Sequence, residues 1–239
     1  MNIVKNILKF LLPSILYNFI SDVRNRRVIF KGREHLDKKI LKYLDFQNGF
    51  FIELGANDGI SESNTYFFER FRNWKGVLIE PILHNYLSCK KNRSEKNKFF
   101  CNACVSFKYK KKYVELLYAD LMTISLSQKK DVKNINKHFN TAKRFTPIKE
   151  KILFAAVAKT LNSILVESNA PKRIDLLSLD VEGAELDVLK GVDFNKFNFN
   201  YILIESRDIK KTTSFLKNKN YIMLEKFTSI DYLFKFNNK

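Results

Sequence analysis

The chain has 239 residues, of which 43 are Lys or Arg and 25 are Asp or Glu, so its formal net charge is +18. This length is sufficient for a buried core, and 22 Phe residues supply apolar volume for one. No internal repeat and no long Gly/Ser linker divides the sequence, so one compact domain is expected. The three Cys residues are too few for a disulfide-stapled scaffold and are expected to be free thiols in a reducing cytoplasm.

Residues 1–21 form an amphipathic segment with a wide apolar face and two lysines on the other side. Pro13 interrupts the apolar run, which is too short for a confident membrane span and lacks a signal-peptide cleavage site. Two interpretations remain: a helix packed against the rest of the chain, or one lying in the plane of a membrane surface. We treat residues 1–45 as an N-terminal helical extension and residues 46–239 as the main domain.

Residues 51–59 read Phe-Ile-Glu-Leu-Gly-Ala-Asn-Asp-Gly, which predicts a strand that turns into a ligand-binding loop. The strand carries Glu53, and Gly55 and Gly59 allow the backbone to approach a ligand or to adopt angles that other residues reach only at a cost. Asn57 occupies the place of the second glycine of G-x-G-x-x-G, which disfavours a nicotinamide or flavin cofactor. A simple tight turn is the structural alternative.

A helix is predicted over residues 61–72, where three aromatic residues have helical spacing. An apolar strand over residues 76–80 follows and ends in Glu80. A carboxylate roughly 20 residues beyond the glycines can accept hydrogen bonds from both ribose hydroxyls of an adenosine. Strand, loop, helix and strand together predict half of a nucleotide-binding sheet.

Residues 108–149 are the least regular part of the sequence and are rich in lysine. We predict an insertion that contacts the acceptor substrate, because specificity usually resides in such additions. The next helix is predicted over about residues 156–168, because its apolar residues share one face.

Another apolar strand begins at Ile174 and leads into the acids Asp180, Glu182 and Glu185, followed by a short helix. The apolar strand over residues 201–206 contains Glu205 near its end. Two further apolar segments near the C-terminus are predicted to pair as an antiparallel hairpin. In open α/β sheets ligands bind beyond the carboxyl ends of the strands, so the acids at predicted strand ends should converge on one edge: Glu53, Glu80, Asp180 and Glu205.

Together these segments resemble the FkbM family of S-adenosylmethionine-dependent methyltransferases. The matching sequence motifs are, in chain order, ELGANDG, GVLIEP, NACVS, LSLDVEGAELDVLKG and YILIES. They span roughly residues 50 to 206, which is most of the chain, and DVEGAE followed by VLKG is the most specific. The resemblance implies an α/β class I methyltransferase fold, a Rossmann-like doubly wound sheet closed by a C-terminal antiparallel hairpin.

The resemblance also implies a binding site for S-adenosylmethionine. By analogy with the family, Gly55 and Asn57 would line the amino-acid end of the cofactor and Glu80 would bind its ribose. Ala103 and Cys104 would flank the adenine.

Two further residues of the loop region belong to the predicted cofactor site. Gly59 closes the loop, and Glu53 either hydrogen-bonds the loop backbone or lies near the sulfonium or amino group.

Methyl transfer requires a nucleophile aligned behind the methyl group, and an acceptor hydroxyl must also lose its proton. Candidate bases are Asp180, Glu182 and Glu205, with His84 as a weaker candidate. In a second variant, Mg²⁺ bound by Asp180 and Glu182 lowers the pKa of the hydroxyl. The structural alternative is that these two acids cap the helix that follows. The three histidines are too scattered in sequence to suggest a site of their own.

The acceptor implied by the resemblance is a hydroxyl of a glycan or glycan precursor. The charge of +18 supports a rival, an RNA-binding methyltransferase that uses lysine runs such as residues 108–112. Nucleic acid is nevertheless disfavoured, because the base-methylating signature of Asn or Asp followed by two prolines and an aromatic residue is missing. A non-catalytic interaction protein on the same scaffold is disfavoured because the cofactor-side residues are intact.

Overall fold

The computed structural model describes residues 29–127, 134–144 and 150–237. Residues 1–21, for which we predict an amphipathic helix, lie outside the described residues. The strands are β1 (Phe50–Leu54), β2 (Lys75–Ile79), β3 (Lys98–Phe100), β4 (Ala103–Val105), β5 (Tyr113–Tyr118), β6 (Ile124–Ser125), β7 (Ile152–Thr160), β8 (Arg173–Leu179), β9 (Asn198–Glu205), β10 (Tyr221–Lys226) and β11 (Asp231–Phe236). The α-helices are α1 (Leu36–Leu44), α2 (Tyr66–Arg72), α3 (Leu83–Asn92), α4 (Ile135–Ala142), α5 (Leu161–Glu167), α6 (Glu185–Leu189) and α7 (Ile209–Lys217).

Seven strands form the main sheet in the order β10-β11-β9-β8-β1-β2-β3. The strands from β9 to β3 are parallel, whereas β11 pairs antiparallel with both β9 and β10. From β1 the chain builds outward to β2 and β3 on one side, and it later returns to β8 and β9 on the other. The order therefore reverses between β1 and β8, as in a doubly wound sheet. The predicted fold class, including the C-terminal hairpin, is confirmed.

The core lies on both faces of the main sheet, which explains why its strands are almost continuous apolar runs. Alternate residues of β1 point to opposite faces. Ile52 packs in a cluster with residues of α5, α6 and α7. Phe51 packs in a second cluster with residues of α1, α2 and α3. Helix α1 belongs to the predicted N-terminal extension and yet buries Leu36, Ile40 and Leu44 in this core. The domain limits themselves stay a prediction.

A smaller sheet has the order β4-β7-β5-β6. Its strands β5 and β6 lie within residues 108–149, the region predicted to be an irregular insertion, and β4 and β7 flank that region. The helix predicted from about residue 156 is wrong at its start, because Ala156 to Thr160 belong to β7 and Ala156 pairs with Val114 of β5. This strand pairing overrides local helix propensity. Helix α5 begins at Leu161, where the Thr160 side chain accepts a hydrogen bond from the N–H of Ser163 as an N-cap. In the described parts of the chain, no helix is long and apolar enough to cross a membrane.

Candidate active site

A cleft of about 590 Å³ lies at the carboxyl edge of the main sheet, beside the point where strand order reverses. Of the four acids predicted to converge at this edge, Glu53, Glu80 and Asp180 line the cleft. Glu205 is buried, 3 % exposed, and contacts the cleft-lining residue Arg207. The structure therefore brings these acids to one edge, with Glu205 behind the wall of the cleft.

The loop after β1 passes very close to the loop after β8. Gly55 has a φ of +79°, and a Cβ at this position would lie 2.1 Å from the carbonyl oxygen of Asp180. Gly55 is therefore required both for its backbone angle and for this close approach. Asn57 also has a left-handed backbone, with a φ of 47°, and donates its N–H to Oε2 of Glu80 at 2.9 Å. Gly59 has a φ of +82° at the end of the loop.

Glu80 is 5 % exposed and connects the two cofactor-side loops. Its Oε2 accepts from the N–H of Asn57 and its Oε1 from the N–H of Ile82, both at 2.9 Å. Burial raises the pKa of Glu80 to about 7, although these two backbone N–H groups act in the opposite direction. A carboxylate can accept about four hydrogen bonds, so two further donors such as ribose hydroxyls can be bound. The ribose role stays a prediction that this geometry permits.

The Glu53 carboxylate forms hydrogen bonds and an ion pair with other residues of the chain. It accepts hydrogen bonds from the backbone N–H of Asn64 at 2.9 Å and from Oγ1 of Thr65 at 2.7 Å. It also forms an ion pair with Nη1 of Arg93 at 3.3 Å. The Arg93 side chain is fully buried and forms a second ion pair with Glu69 at 2.8 Å. Of the two interpretations of Glu53, these contacts favour stabilisation of the loop.

Arg93 is a residue that sequence reasoning missed. It follows the lysines at the end of α3, where a solvent-exposed side chain is the ordinary expectation. In the structure its Nη1 donates to the carbonyl of Gly59 at 3.0 Å, so it fixes the end of the glycine loop.

Ala103 and Cys104 lie in β4 and line the cleft on the side where we predict the adenine. Both are 6 % exposed. Burial raises the pKa of the Cys104 thiol to about 12, so the thiol remains protonated at neutral pH. Contact with adenine stays a prediction.

The three predicted catalytic acids lie together, with one carboxylate oxygen from each of Asp180, Glu182 and Glu205 within 4.8 Å of the others. Nη2 of Arg207 is 2.7 Å from both Glu182 and Glu205, and Nη2 of Arg33 is 3.2 Å from Glu205. The described residues donate no hydrogen bond to the Asp180 carboxylate. Glu182 and Glu205 are thus held by arginines, whereas no described residue forms a hydrogen bond or ion pair with the Asp180 carboxylate at the cleft.

Arg33 is another residue that sequence reasoning missed, because it lies in the predicted N-terminal extension. The turn that carries it is fixed by the buried carboxylate of Asp37, which accepts the N–H groups of Lys31 at 2.7 Å and Lys38 at 2.9 Å. Only tertiary packing brings this turn to the cleft.

Residues 120–125, which we call the cover segment, belong to the region predicted to contact the acceptor, and all of them except Ile124 line the cleft. Asp120 has a left-handed φ of 55°, and its carbonyl accepts from Oγ1 of Thr123 at 2.7 Å. Nε2 of His138 lies 2.8 Å from the carbonyl of Met122 and 3.9 Å from Oε2 of Glu182. His138 therefore links the cover segment to the acids, although its sequence position gave no such indication. His84 packs against the Tyr118 ring and is not among the described residues that line the cleft.

Because several buried carboxyl groups have raised pKa values, we expect the stability of the protein to fall as pH rises. Mainly through burial, the pKa values of Glu80, Asp180 and Glu185 are raised to about 7 and that of Glu205 to about 9. The folded protein binds these protons more tightly than the unfolded chain does. The resulting stabilisation is complete below the unfolded-state pKa values of 3.8 to 4.5 and is lost as pH rises through the folded-state pKa values. We expect the melting temperature of the ligand-free protein to fall between about pH 5 and pH 9.

Differential scanning fluorimetry over this pH range tests the prediction. Asp180→Asn should flatten the curve, whereas the exposed control Asp193→Asn should leave its slope unchanged. A melting temperature that rises steadily with pH contradicts the prediction.

Residues 53–234 match the family described as Methyltransferase FkbM domain. The chain belongs to the FkbM methyltransferase family. This match covers most of the chain, so the resemblance seen in the motifs is confirmed, and the protein is a methyltransferase enzyme.

The chain is also similar to proteins of known structure. One is a methyltransferase from Geobacter sulfurreducens, with a TM-score of 0.45, 11 % identity, and coverage of 100 % of this chain and 97 % of that chain. Another, described as a "putative RNA methyltransferase" from Pyrococcus horikoshii, has a TM-score of 0.42 and 9 % identity, covering 84 % of this chain and 80 % of that one. Similarity at this level carries no argument about the substrate. A search of curated proteins found no match.

The FkbM family implies S-adenosylmethionine as the methyl donor. The residues at the cleft fit this cofactor. The buried Glu80 carboxylate faces the cleft at the end of β2, and the backbone beside it turns through Gly55 and Asn57. The cleft is also negatively charged, which favours a positively charged sulfonium group.

Proposed function

We propose that this FkbM methyltransferase methylates a hydroxyl of a glycan or glycan precursor with S-adenosylmethionine. The observation that carries the proposal is the Asp180 carboxylate, which faces the cleft beside the glycine loop and has no hydrogen-bond donor among the described residues. A hydroxyl acceptor needs a base at this place, and the side chain is available for that task. The cofactor, when bound, supplies a methyl group on a positively charged sulfur.

Asp180 acts as the general base. It accepts the proton of the acceptor hydroxyl as the oxygen becomes nucleophilic. Burial and the neighbouring Glu182 raise the pKa of Asp180 to about 7, while Arg33 and Arg207 oppose them. A base of this pKa is ionised in a large fraction of molecules near neutral pH and still binds a proton well.

The remaining residues position the acceptor and the base. Arg207 holds Glu182 and Glu205 in place through its two ion pairs of 2.7 Å, so these acids have less freedom to take a proton than Asp180. The cover segment closes the acceptor side and limits access of water. Positioning of this kind supplies most of the acceleration in a reaction that already has a good leaving group.

RNA is the second candidate acceptor, and the net charge of +18 is the observation in its favour. The lysine run of residues 108–112, however, lies between β4 and β5 and does not line the cleft. The described cleft lining contains six acidic residues and two basic ones, and this excess of acids would repel a polyanion. The cleft therefore supports a glycan hydroxyl better than RNA. A purely non-catalytic role is opposed by the family and by the intact cofactor side.

A metal-assisted variant belongs to the same proposal. Oxygens of Asp180, Glu182 and Glu205 within 4.8 Å of one another have the ligand type that Mg²⁺ prefers. Two of these acids are already paired with arginine, which favours the metal-free mechanism. Calorimetric titration with Mg²⁺ distinguishes the two mechanisms: saturable binding that is lost in Asp180→Asn supports the metal, and no binding supports Asp180 alone.

Replacing Glu80 with Ala is expected to weaken binding of S-adenosylhomocysteine by about 10- to 100-fold, because hydrogen bonds to a charged group contribute about 1.5–3 kcal/mol. Isothermal titration calorimetry measures the affinity, and thermal stabilisation by the ligand provides a second readout. Glu115→Ala is the matched control, since Glu115 is exposed on β5 and outside the cleft lining. Unchanged affinity in Glu80→Ala contradicts the ribose assignment, and no binding by folded wild-type protein contradicts the proposed function.

We further propose a cytoplasmic location, because none of the three cysteines, all of which are among the described residues, forms a disulfide bond. Contact with the inner face of a membrane through residues 1–21 is a further proposal. Deletion of residues 1–21 tests it, because unchanged partitioning of the protein to anionic vesicles would contradict a membrane role.

A further inference from the structure

The charges that line the cleft differ in sign from those of the chain as a whole. Among the described residues, the cleft lining contains two arginines, Arg33 and Arg207, and no lysine. It also contains six acids: Glu53, Glu62, Glu80, Asp120, Asp180 and Glu182. A chain with a net charge of +18 thus places an excess of carboxylates where the substrates bind.

Both arginines of the cleft are already paired with acids. Arg207 contacts Glu182 and Glu205, each at 2.7 Å. Arg33 contacts Glu205 at 3.2 Å and Asp231 at 3.3 Å. Glu205 is shared, so the two guanidinium groups contact three carboxyl groups, and these contacts offset their positive charge within the cleft.

Two of the acids have their own partners on the cofactor side. Glu53 is paired with the buried Arg93, and Glu80 accepts two backbone N–H groups. The acceptor side is different, because the described residues donate no hydrogen bond to the carboxylates of Asp120 and Asp180. These two groups can accept hydrogen bonds from hydroxyl or ammonium groups, and they would repel an anion.

Hydroxyl groups complete the acceptor side. Thr123, in the cover segment, and Thr141, in α4, both line the cleft. Oγ1 of Thr141 donates to the carbonyl of Lys137 at 2.9 Å, so its lone pairs remain for an incoming hydroxyl. The acceptor side thus combines carboxylate and hydroxyl oxygens, a set that binds polyols and amines.

We propose that the sugar methylated by this enzyme is neutral or carries an amine, and has no phosphate or carboxylate group on the ring that enters the cleft. This inference rests on the proposed function, since it specifies the acceptor of the same reaction. Asp120 then determines specificity, because its carboxylate accepts a hydrogen bond from a hydroxyl or ammonium group and repels a sugar ring that carries an anionic group. Charge repulsion of this kind discriminates between partners that are otherwise similar in shape.

Saturation-transfer difference NMR on the protein loaded with S-adenosylhomocysteine tests the proposal without requiring turnover. The probes are methyl α-glucopyranoside, glucosamine, glucuronic acid and glucose 6-phosphate, titrated separately in EDTA at about pH 8, above the raised pKa of Asp180 near 7. We expect the neutral and amino sugars to bind at least about tenfold more tightly than the two acidic sugars, as expected for one poorly screened like-charge contact.

Two variants locate the effect. Asp120→Asn keeps the side-chain shape and removes one charge, so it should narrow the difference in affinity between neutral and acidic sugars. Glu115→Gln removes one charge from the exposed face of β5 and should leave that difference unchanged.

Several results would overturn the inference: an acidic sugar that binds as well as the neutral ones, binding of none of the four probes, or an unchanged preference in Asp120→Asn. If the proposed function is wrong, the protein will not bind S-adenosylhomocysteine when it is loaded, before any sugar is added. The two failures are therefore distinguishable.

Discussion

Replacing Asp180 with Asn should lower the rate of methyl transfer by about 10²- to 10⁴-fold, the usual contribution of a positioned general base. Asn has nearly the same shape but cannot accept the proton of the acceptor hydroxyl. The affinity for S-adenosylhomocysteine should stay close to that of the wild type, because no described residue of the glycine loop donates a hydrogen bond to the Asp180 carboxylate. The backbone of Asp180, which the substitution leaves in place, lies against Gly55 and Leu54. The loss should therefore fall on turnover rather than on cofactor binding.

The measurement is the transfer of a labelled methyl group from S-adenosylmethionine to the best sugar acceptor, as a function of pH. In the wild type the rate should rise as pH increases through about 7, because the ionised base is the active form and burial has raised the pKa of Asp180 to that value. The variant should lose this rise. Asp193→Asn, an exposed aspartate beyond α6, is the matched control. Wild-type turnover in Asp180→Asn would show that another group removes the proton.

Replacing Arg93 with Met should destabilise the fold by about 3–5 kcal/mol, because removing one partner of a buried ion pair leaves an uncompensated buried charge. Met retains most of the aliphatic volume, so the loss comes chiefly from the charge and the hydrogen bonds. Both Glu53 and Glu69 would lose their ion-pair partner. Burial acts to raise the pKa of Glu69, but Arg93 and the hydrogen bonds to this carboxylate outweigh burial, so its pKa is lowered.

Urea denaturation followed by circular dichroism gives the free energy of unfolding for this test. Arg72→Met is the matched control, because Arg72 pairs with the exposed Asp45 and a surface ion pair contributes only about 0–1 kcal/mol. The glycine loop should also be affected, since Arg93 binds the carbonyl of Gly59. If Arg93→Met and Arg72→Met are equally stable, the buried network does not stabilise the loop.

The strands beside the cleft could be predicted from the sequence because each is a mainly apolar run with an acid at or near its end. The run before Glu53 and the run before Asp180 became neighbouring parallel strands, and their carboxyl ends meet at one edge. Strand periodicity is a local property, so the sequence reveals it directly. The same reasoning failed at Ala156, where the pairing partner lies more than 40 residues away in β5 and cannot be read locally.

The spacing of the acids in the sequence could not predict which of them pair with arginine and which one remains available as a base. Asp180, Glu182 and Glu205 appear equivalent in sequence, as acids at or near strand ends. The structure separates them because Arg207 and Arg33 reach Glu182 and Glu205 and leave Asp180 without a donor among the described residues. The arginines come from different parts of the chain, and side-chain pairing over such separations is decided by packing.

The sequence by itself determined the family and the parallel sheet and predicted where the cofactor binds, because these depend on short segments whose physical role is local: a glycine where the backbone must turn, and an acid where a strand ends. Tertiary structure alone decided which charges are buried together. It placed Arg93 beneath the glycine loop, brought Arg33 from the N-terminal segment to the cleft, and made the cleft acidic within a basic protein. Composition records how many charges a chain carries, whereas burial and pairing determine where each charge is effective.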